Sequence, residues 1–171
     1  MATIEAAAGG AIPVVRAMPN TPALVGAGAA AIAPGTHATT DDLGWAEGIL
    51  AAVGTVVRVP ESLLDAVTGL AGSGPAYLFM IAEALIDAGV LDGLPRPIAR
   101  SLVTQLFVGS AKLMDESGEL PEVLRANVTS PGGTTAAGLR ELERHAVRGA
   151  LLAAVEAATA RSKQLGAPPS P

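Results

Sequence analysis

Ser73-Gly-Pro-Ala-Tyr-Leu-Phe-Met-Ile-Ala-Glu-Ala-Leu-Ile-Asp-Ala-Gly89 is the stretch on which the fold turns. Proline just inside its start and glycine at its end punctuate a helix. Within it only Glu83 and Asp87 are charged, so the surface from Ala76 to Ile86 is apolar nearly all round. A helix of that kind sits inside a bundle. Downstream, Pro95 and Pro97 start a second helix in which Ile98, Leu102, Leu106 and Leu113 interleave with Ala99, Val103 and Phe107. Pro121 to Val128 reads as a short helix, and Thr134 to Arg144 and Ala146 to Leu165 complete the set. Nothing from Glu61 onward reads as a strand, and 166–171 reads as a loose tail.

Upstream the periodicity changes. Ile12 to Met18 is a short β-branched run ended by Pro19-Asn-Thr-Pro22, a strand followed by a turn. Gly28 to Ala33 suits a second strand before Pro34-Gly35. Thr40-Asp-Asp42 offers an N-cap and first-turn acids for a helix through Val53, which Gly54 ends before a third strand, Thr55 to Val59. The order strand, strand, helix, strand is α/β in character and too short for a complete doubly wound sheet. The expected division is therefore an α/β segment over 1–60, an all-helical module over 61–165 and a tail over 166–171.

Composition narrows the function classes. The 171 residues include 35 Ala and 20 Gly, with only Trp45, Tyr77, Phe79 and Phe107 aromatic. A core of small side chains buries little area per residue, which favours an added partner surface. A net charge of −5 with no basic cluster argues against nucleic acid. No Cys is present, and His37 and His145 lie far apart without carboxylates at ligand spacing, so no metal site is expected. The uncharged runs 17–40 and 66–82 are interrupted by prolines or glycines and are not expected to span a membrane. Glu5 and the absence of a basic start argue against a signal peptide, so the expected location is the cytoplasm.

Three short motifs bear on chemistry. Gly26-Ala-Gly-Ala-Ala-Ala31 has dinucleotide-fingerprint spacing, but Pro34 arrives where a helix should run, so it reads as the start of a strand. Gly69-Leu-Ala-Gly-Ser-Gly-Pro75 has the wrong glycine spacing; it is either a loop where two backbones pass closely or a functional turn. Thr129-Ser-Pro-Gly-Gly-Thr-Thr135 runs straight into a helix, where free amides can hold an anion. No Lys follows, which favours a carboxylate over a polyphosphate; equally, Ser130 or Thr134 could simply cap the helix.

Arg16-Ala-Met-Pro-Asn-Thr-Pro22, Asp65-Ala-Val-Thr-Gly-Leu-Ala-Gly-Ser-Gly-Pro-Ala-Tyr77 and Asn127-Val-Thr-Ser-Pro-Gly-Gly-Thr-Thr135 together resemble the pyrroline-5-carboxylate reductase family, from about Pro13 to Leu165. The resemblance implies the C-terminal remnant of a Rossmann domain followed by an all-α helical dimerisation domain. It implies reduction of 1-pyrroline-5-carboxylate to L-proline with NADPH or NADH, in a homodimer or higher homo-oligomer. Carried over by position, Ser130, Gly133, Thr134 and Thr135 match the loop that holds the substrate carboxylate, with Thr135 beside the ring nitrogen as the catalytic hydroxyl. Glu61 matches a substrate-contacting acid, and Asn20 and Asn127 match cofactor-side positions. Two departures stand out: the strand–glycine-turn–helix unit that grips pyrophosphate is missing, and Leu120 stands where many relatives have His. A non-catalytic dimerisation module keeping only the substrate loop is the competing reading. A different dehydrogenase sharing the helical architecture would need another cofactor-site logic.

Overall fold

The computed structural model describes residues 1–9 and 11–167. Its elements are α1 (Ala2–Ala7), β1 (Val15–Met18), β2 (Gly28–Pro34), α2 (Thr40–Ala51), β3 (Gly54–Arg58), α3 (Leu64–Val67), α4 (Gly74–Leu91), α5 (Arg96–Ser117), α6 (Pro121–Asn127), α7 (Thr134–Arg144) and α8 (Val147–Gly166). The α/β segment followed by helices is thus as the sequence reading has it. The short helix α1 and the 3-10 turn at Thr21–Val25 carried no periodic signal and were not expected. The expected tail is helical at Gly166, and Pro168 to Pro171 lie outside the described residues.

The chain divides into two compact units, Met1–Tyr77 with Leu152–Pro171, and Leu78–Leu151. In the first, the three strands form one sheet in the order β1-β2-β3, with β1 antiparallel and β3 parallel to the central β2. The pairing Val15↔Pro34 to Met18↔Ala31 sets one register and Gly28↔Gly54 to Ile32↔Arg58 the other. Helix α2 of the β2–α2–β3 crossover and helix α3 both pack against β2, and a strand so enclosed reads as a continuous apolar run. Ala31, Ile32 and Ala33 are fully buried, and Leu64 of α3 closes on Ala31 and Ala33 with Met18, Val59 and Val67 around it.

The cap of α2 lies one residue earlier than expected, because Thr40 is already the first helical residue. Thr39 is the N-cap: its hydroxyl accepts from the Asp42 N–H, and the Asp42 carboxylate accepts from the Thr39 N–H at 2.8 Å, a reciprocal capping box. The Thr39 hydroxyl also donates to the Asp42 carboxylate at 2.6 Å, and that bond, followed by the one from the Thr39 N–H, holds the Asp42 carboxyl below its ordinary value.

The 66–82 run is interrupted less sharply than expected. Glu61–Leu91 continues as a 3-10 turn, α3, a π turn and, after a bend at Ser73, α4; taken together it is long and apolar enough to cross a membrane by length and composition alone. The chain absorbs its glycines by widening to a π turn over Thr68–Gly72, where the Ser73 N–H bonds to the Thr68 carbonyl at 2.8 Å. Pro75 stands in the first turn of α4, where its missing N–H leaves no bond unmade. Gly69 explains why this segment is glycine-rich. A Cβ there would lie 2.3 Å from Thr159 Oγ1 and 2.8 Å from the Val155 carbonyl of α8, so the two backbones pass closely, which was one of the two readings of this stretch.

The second unit is assembled differently. Among its described residues only Ala99 and Val103, both on α5, are buried. Leu78, Phe79 and Met80 of α4 and Ile98, Leu102 and Leu106 of α5 are all at least half exposed.

Candidate functional site

The segment between α6 and α7 is built by local bonds. The Thr129 hydroxyl donates to the Arg125 carbonyl at 2.6 Å and its N–H to the Ala126 carbonyl at 3.0 Å, closing α6. Gly132 then takes a left-handed conformation (φ 69°), and the Gly133 N–H turns back onto the Ser130 carbonyl at 3.1 Å. Gly133 itself is the N-cap of α7, and no side chain caps that helix. Of the two readings of this motif, the cap is therefore excluded: neither Ser130 nor Thr134 bonds the helix amides. Among the described residues no side chain caps the N–H groups of Thr134, Thr135 and Ala136, the first three of the helix and its positive end. A Cβ on residue 133 would lie 2.4 Å from Ser130 Oγ, so glycine lets the hydroxyl and the amides share one small volume.

This cradle is electrically simple. No charged side chain occurs from Ala126 to Ala137, so an anion there would be held by amides, a helix dipole and hydroxyls alone. Thr135 is half-buried, while Ser130 and Thr134 are exposed. Asn127, the last residue of α6, is exposed and opens the same segment. The second unit also carries a shallow groove of about 880 Å³ along α5, lined by Arg96, Arg100, Ser101, Thr104 and Gln105, and none of the cradle residues belongs to it.

Asn20 and Glu61 belong to the first unit. Asn20 follows β1, and both ends of its side-chain amide are engaged. Nδ2 donates to the Ala71 carbonyl at 3.0 Å, and Oδ1 accepts from the Ala29 N–H at 2.8 Å. Glu61 Oε1 accepts from the amino group of Met1 and from Arg16 at 3.2 Å. Those partners, the ammonium first, hold its carboxyl below the ordinary value. Arg16 went unsuspected as the counter-ion of Glu61, because 45 residues separate them and only the sheet brings them together. Tyr77, likewise unflagged, directs its hydroxyl at the carbonyls of Gly69 (3.3 Å) and Ala154 (3.4 Å).

The spacing Gly26-Ala-Gly28 is no cofactor turn. Gly26 closes the 3-10 turn and Gly28 opens β2, so the glycines lead into a strand rather than out of one. Among the described residues there is no strand–glycine-turn–helix unit that could cradle a pyrophosphate. No group of His, Asp or Glu among them is arranged to hold a metal.

Comparison with known proteins agrees with this anatomy. Residues 61–165 match the family model described as "Pyrroline-5-carboxylate reductase dimerisation". The pyrroline-5-carboxylate reductase of Synechocystis is 54% identical over 153 residues, 90% of this chain and 57% of that protein. Its counterpart in Corynebacterium melassecola is 48% identical over 166 residues, 97% of this chain and 62% of the relative. Among solved structures, Plasmodium falciparum pyrroline carboxylate reductase with NADP bound superposes with a TM-score of 0.91 at 35% identity, covering 98% of this chain and 67% of that one. This chain thus spans somewhat more than half the length of the curated relatives it matches. With one domain model, long alignments near half identity and a shared fold in agreement, the chain belongs to the pyrroline-5-carboxylate reductase family.

Proposed function

We propose that this chain carries the dimerising, substrate-carboxylate half of an NAD(P)H-dependent reductase that converts 1-pyrroline-5-carboxylate to L-proline. The observation that carries this reading is the uncapped start of α7, where Gly133, Thr134 and Thr135 leave amides and hydroxyls free within one turn. The substrate is a cyclic imine bearing a carboxylate. Neutral amides hold that carboxylate without setting a fixed charge beside the imine, so the C=N bond stays electrophilic. Thr135, one residue into the helix and half-buried, is the hydroxyl to align the ring nitrogen, which gains a proton as the adjacent carbon gains hydride. When bound, the nicotinamide supplies that hydride. The remaining work is orientation, and orientation alone can be worth several kcal/mol.

The residues assigned to the cofactor, Asn20 and Asn127, lack a pyrophosphate cradle among the described residues and would meet only its nicotinamide end. These 171 residues taken by themselves are therefore expected to bind the carboxylate and self-associate without turning over. As part of a complete enzyme they act in reduction; standing alone they act as a dimerisation module. L-proline titrated into the ¹⁵N-labelled chain should shift the amides of Thr134, Thr135 and Ala136 saturably. Absence of such shifts would refute the carboxylate assignment, and steady NADPH oxidation by the purified chain would refute its inactivity alone.

A further inference from the structure

We propose that Asn20 is a positioning residue: its side-chain amide holds the Thr68–Gly72 turn in its π register and locks that turn to the loop after β1. The geometry is specific. Asn20 sits two residues beyond Met18, the last residue of β1 paired with β2, where the chain leaves the ladder for the 3-10 turn. Its Oδ1 adds one further bond to β2 through the Ala29 N–H, and its Nδ2 reaches 51 residues along the chain to the Ala71 carbonyl.

A π turn is wider than an α turn, and its carbonyls need partners to hold that width. Here two side chains provide them: Asn20 to Ala71, and Tyr77, with a longer bond, to Gly69. Met18 adds a packing contact at the same place, since a Cβ on Gly72 would lie 2.4 Å from its Cε. The turn's other side is seated on α8 through Gly69. Asn20 is thus the one polar tie from the strand loop to this turn among the described residues, and with both ends of its amide occupied it is already committed within the fold. The inference rests on the proposed function only in treating the loop after β1 as the nicotinamide side. Any ligand contact to that loop would then be felt at the entry to α4.

Backbone hydrogen exchange on the 171-residue chain tests the tie. Asn20→Asp keeps an acceptor for the Ala29 N–H but sets a carboxylate oxygen against the Ala71 carbonyl. The Ser73 amide, which closes the π turn, should then exchange about tenfold faster, the scale of one partly buried hydrogen bond, while Ala29 stays protected. Asn20→Ala should release both. Ser73 exchange unchanged in both variants overturns the proposal. If either variant unfolds, seen as exchange throughout Ala31 to Ala33, the wild-type protein decides. A through-hydrogen-bond coupling between Asn20 Nδ2 and the Ala71 carbonyl carbon is expected, and its absence overturns the assignment. None of these readouts depends on reductase activity, so failure here and failure of the carboxylate titration are separate results.

Discussion

The two units solve the same composition in opposite ways. The sheet unit buries Ala31, Ile32 and Ala33 completely, with Leu64 packed on Ala31 and Ala33, while Leu24 (90% exposed) and Trp45 (74%) stay outside that small core. The helical unit has the larger residues and leaves them uncovered: Phe79 is 67% exposed, Leu102 57% and Leu106 54%. Small residues suffice for the core at β2, whereas α4 and α5 leave large apolar faces open within one copy. On the proposed dimerising reading a second copy would cover those faces, and the stability of the second unit would then depend on concentration.

The comparison can be broken most directly at Leu64. Leu64→Ala should destabilise the first unit by about 2–5 kcal/mol, the usual cost of a cavity in a closed core. Urea unfolding followed by an amide in β2 would read it, and a loss below 1 kcal/mol, roughly the level of a surface change, would show that the core is not closed. Phe79→Glu should do the reverse. It should leave the fold of a single copy nearly untouched while weakening self-association about 100-fold, as expected for removing one buried aromatic from an interface. Sedimentation equilibrium measures this, and a compact monomer in the wild-type chain at micromolar concentration would remove the contrast altogether.

A third test sharpens the functional side. In a chain extended to the full length of its relatives, Thr135→Ala should lower kcat more than it raises KM, by about 1–3 kcal/mol in transition-state stabilisation. Gly133→Val should instead push against Ser130 and weaken carboxylate binding, seen as loss of the proline-induced amide shifts. Identical kinetics for Thr135→Ala and wild type would leave Thr135 no mechanistic role. The smallest effect concerns the edge of the first unit. Asp42 is held below its ordinary value of 3.8 by Thr39, so its contribution is complete above that value and fades as pH falls through the lowered one. Thr39→Ala should cost about 0.5–2 kcal/mol through loss of the cap. It should also return the Asp42 titration, followed by its carboxyl carbon shift, toward the ordinary value.

Much of this was legible in the residues. Pro75, Pro97 and Pro121 mark helix starts because proline loses nothing in a first turn, and the alternation of proline and β-branched runs before residue 60 marks the strands. The glycine-rich entry to α7 was legible as an anion-holding turn or as a plain cap, and the spacing alone does not choose between them. The π turn was not. Its glycines signal a close backbone approach, but their spacing says neither that α8 is the backbone approached nor that the chain widens into a π turn there. The partners of Asn20 and Glu61 were equally silent, being 51 and 45 residues away.

The sequence by itself determined the element order, the apolar helical faces and the family, because each is written in local spacing or in contiguous motifs. Only the tertiary structure decided that Ser130 and Thr134 do not cap α7, that Asn20 spends its amide on Ala29 and Ala71, and that Glu61 is neutralised by Arg16 and the chain's amino group. The first is a matter of local backbone geometry; for Asn20 and Glu61 the physical reason is shared. A side chain's hydrogen bonds depend on which groups arrive within 3 Å of it, and those groups come from segments whose approach is set by packing rather than by neighbouring residues.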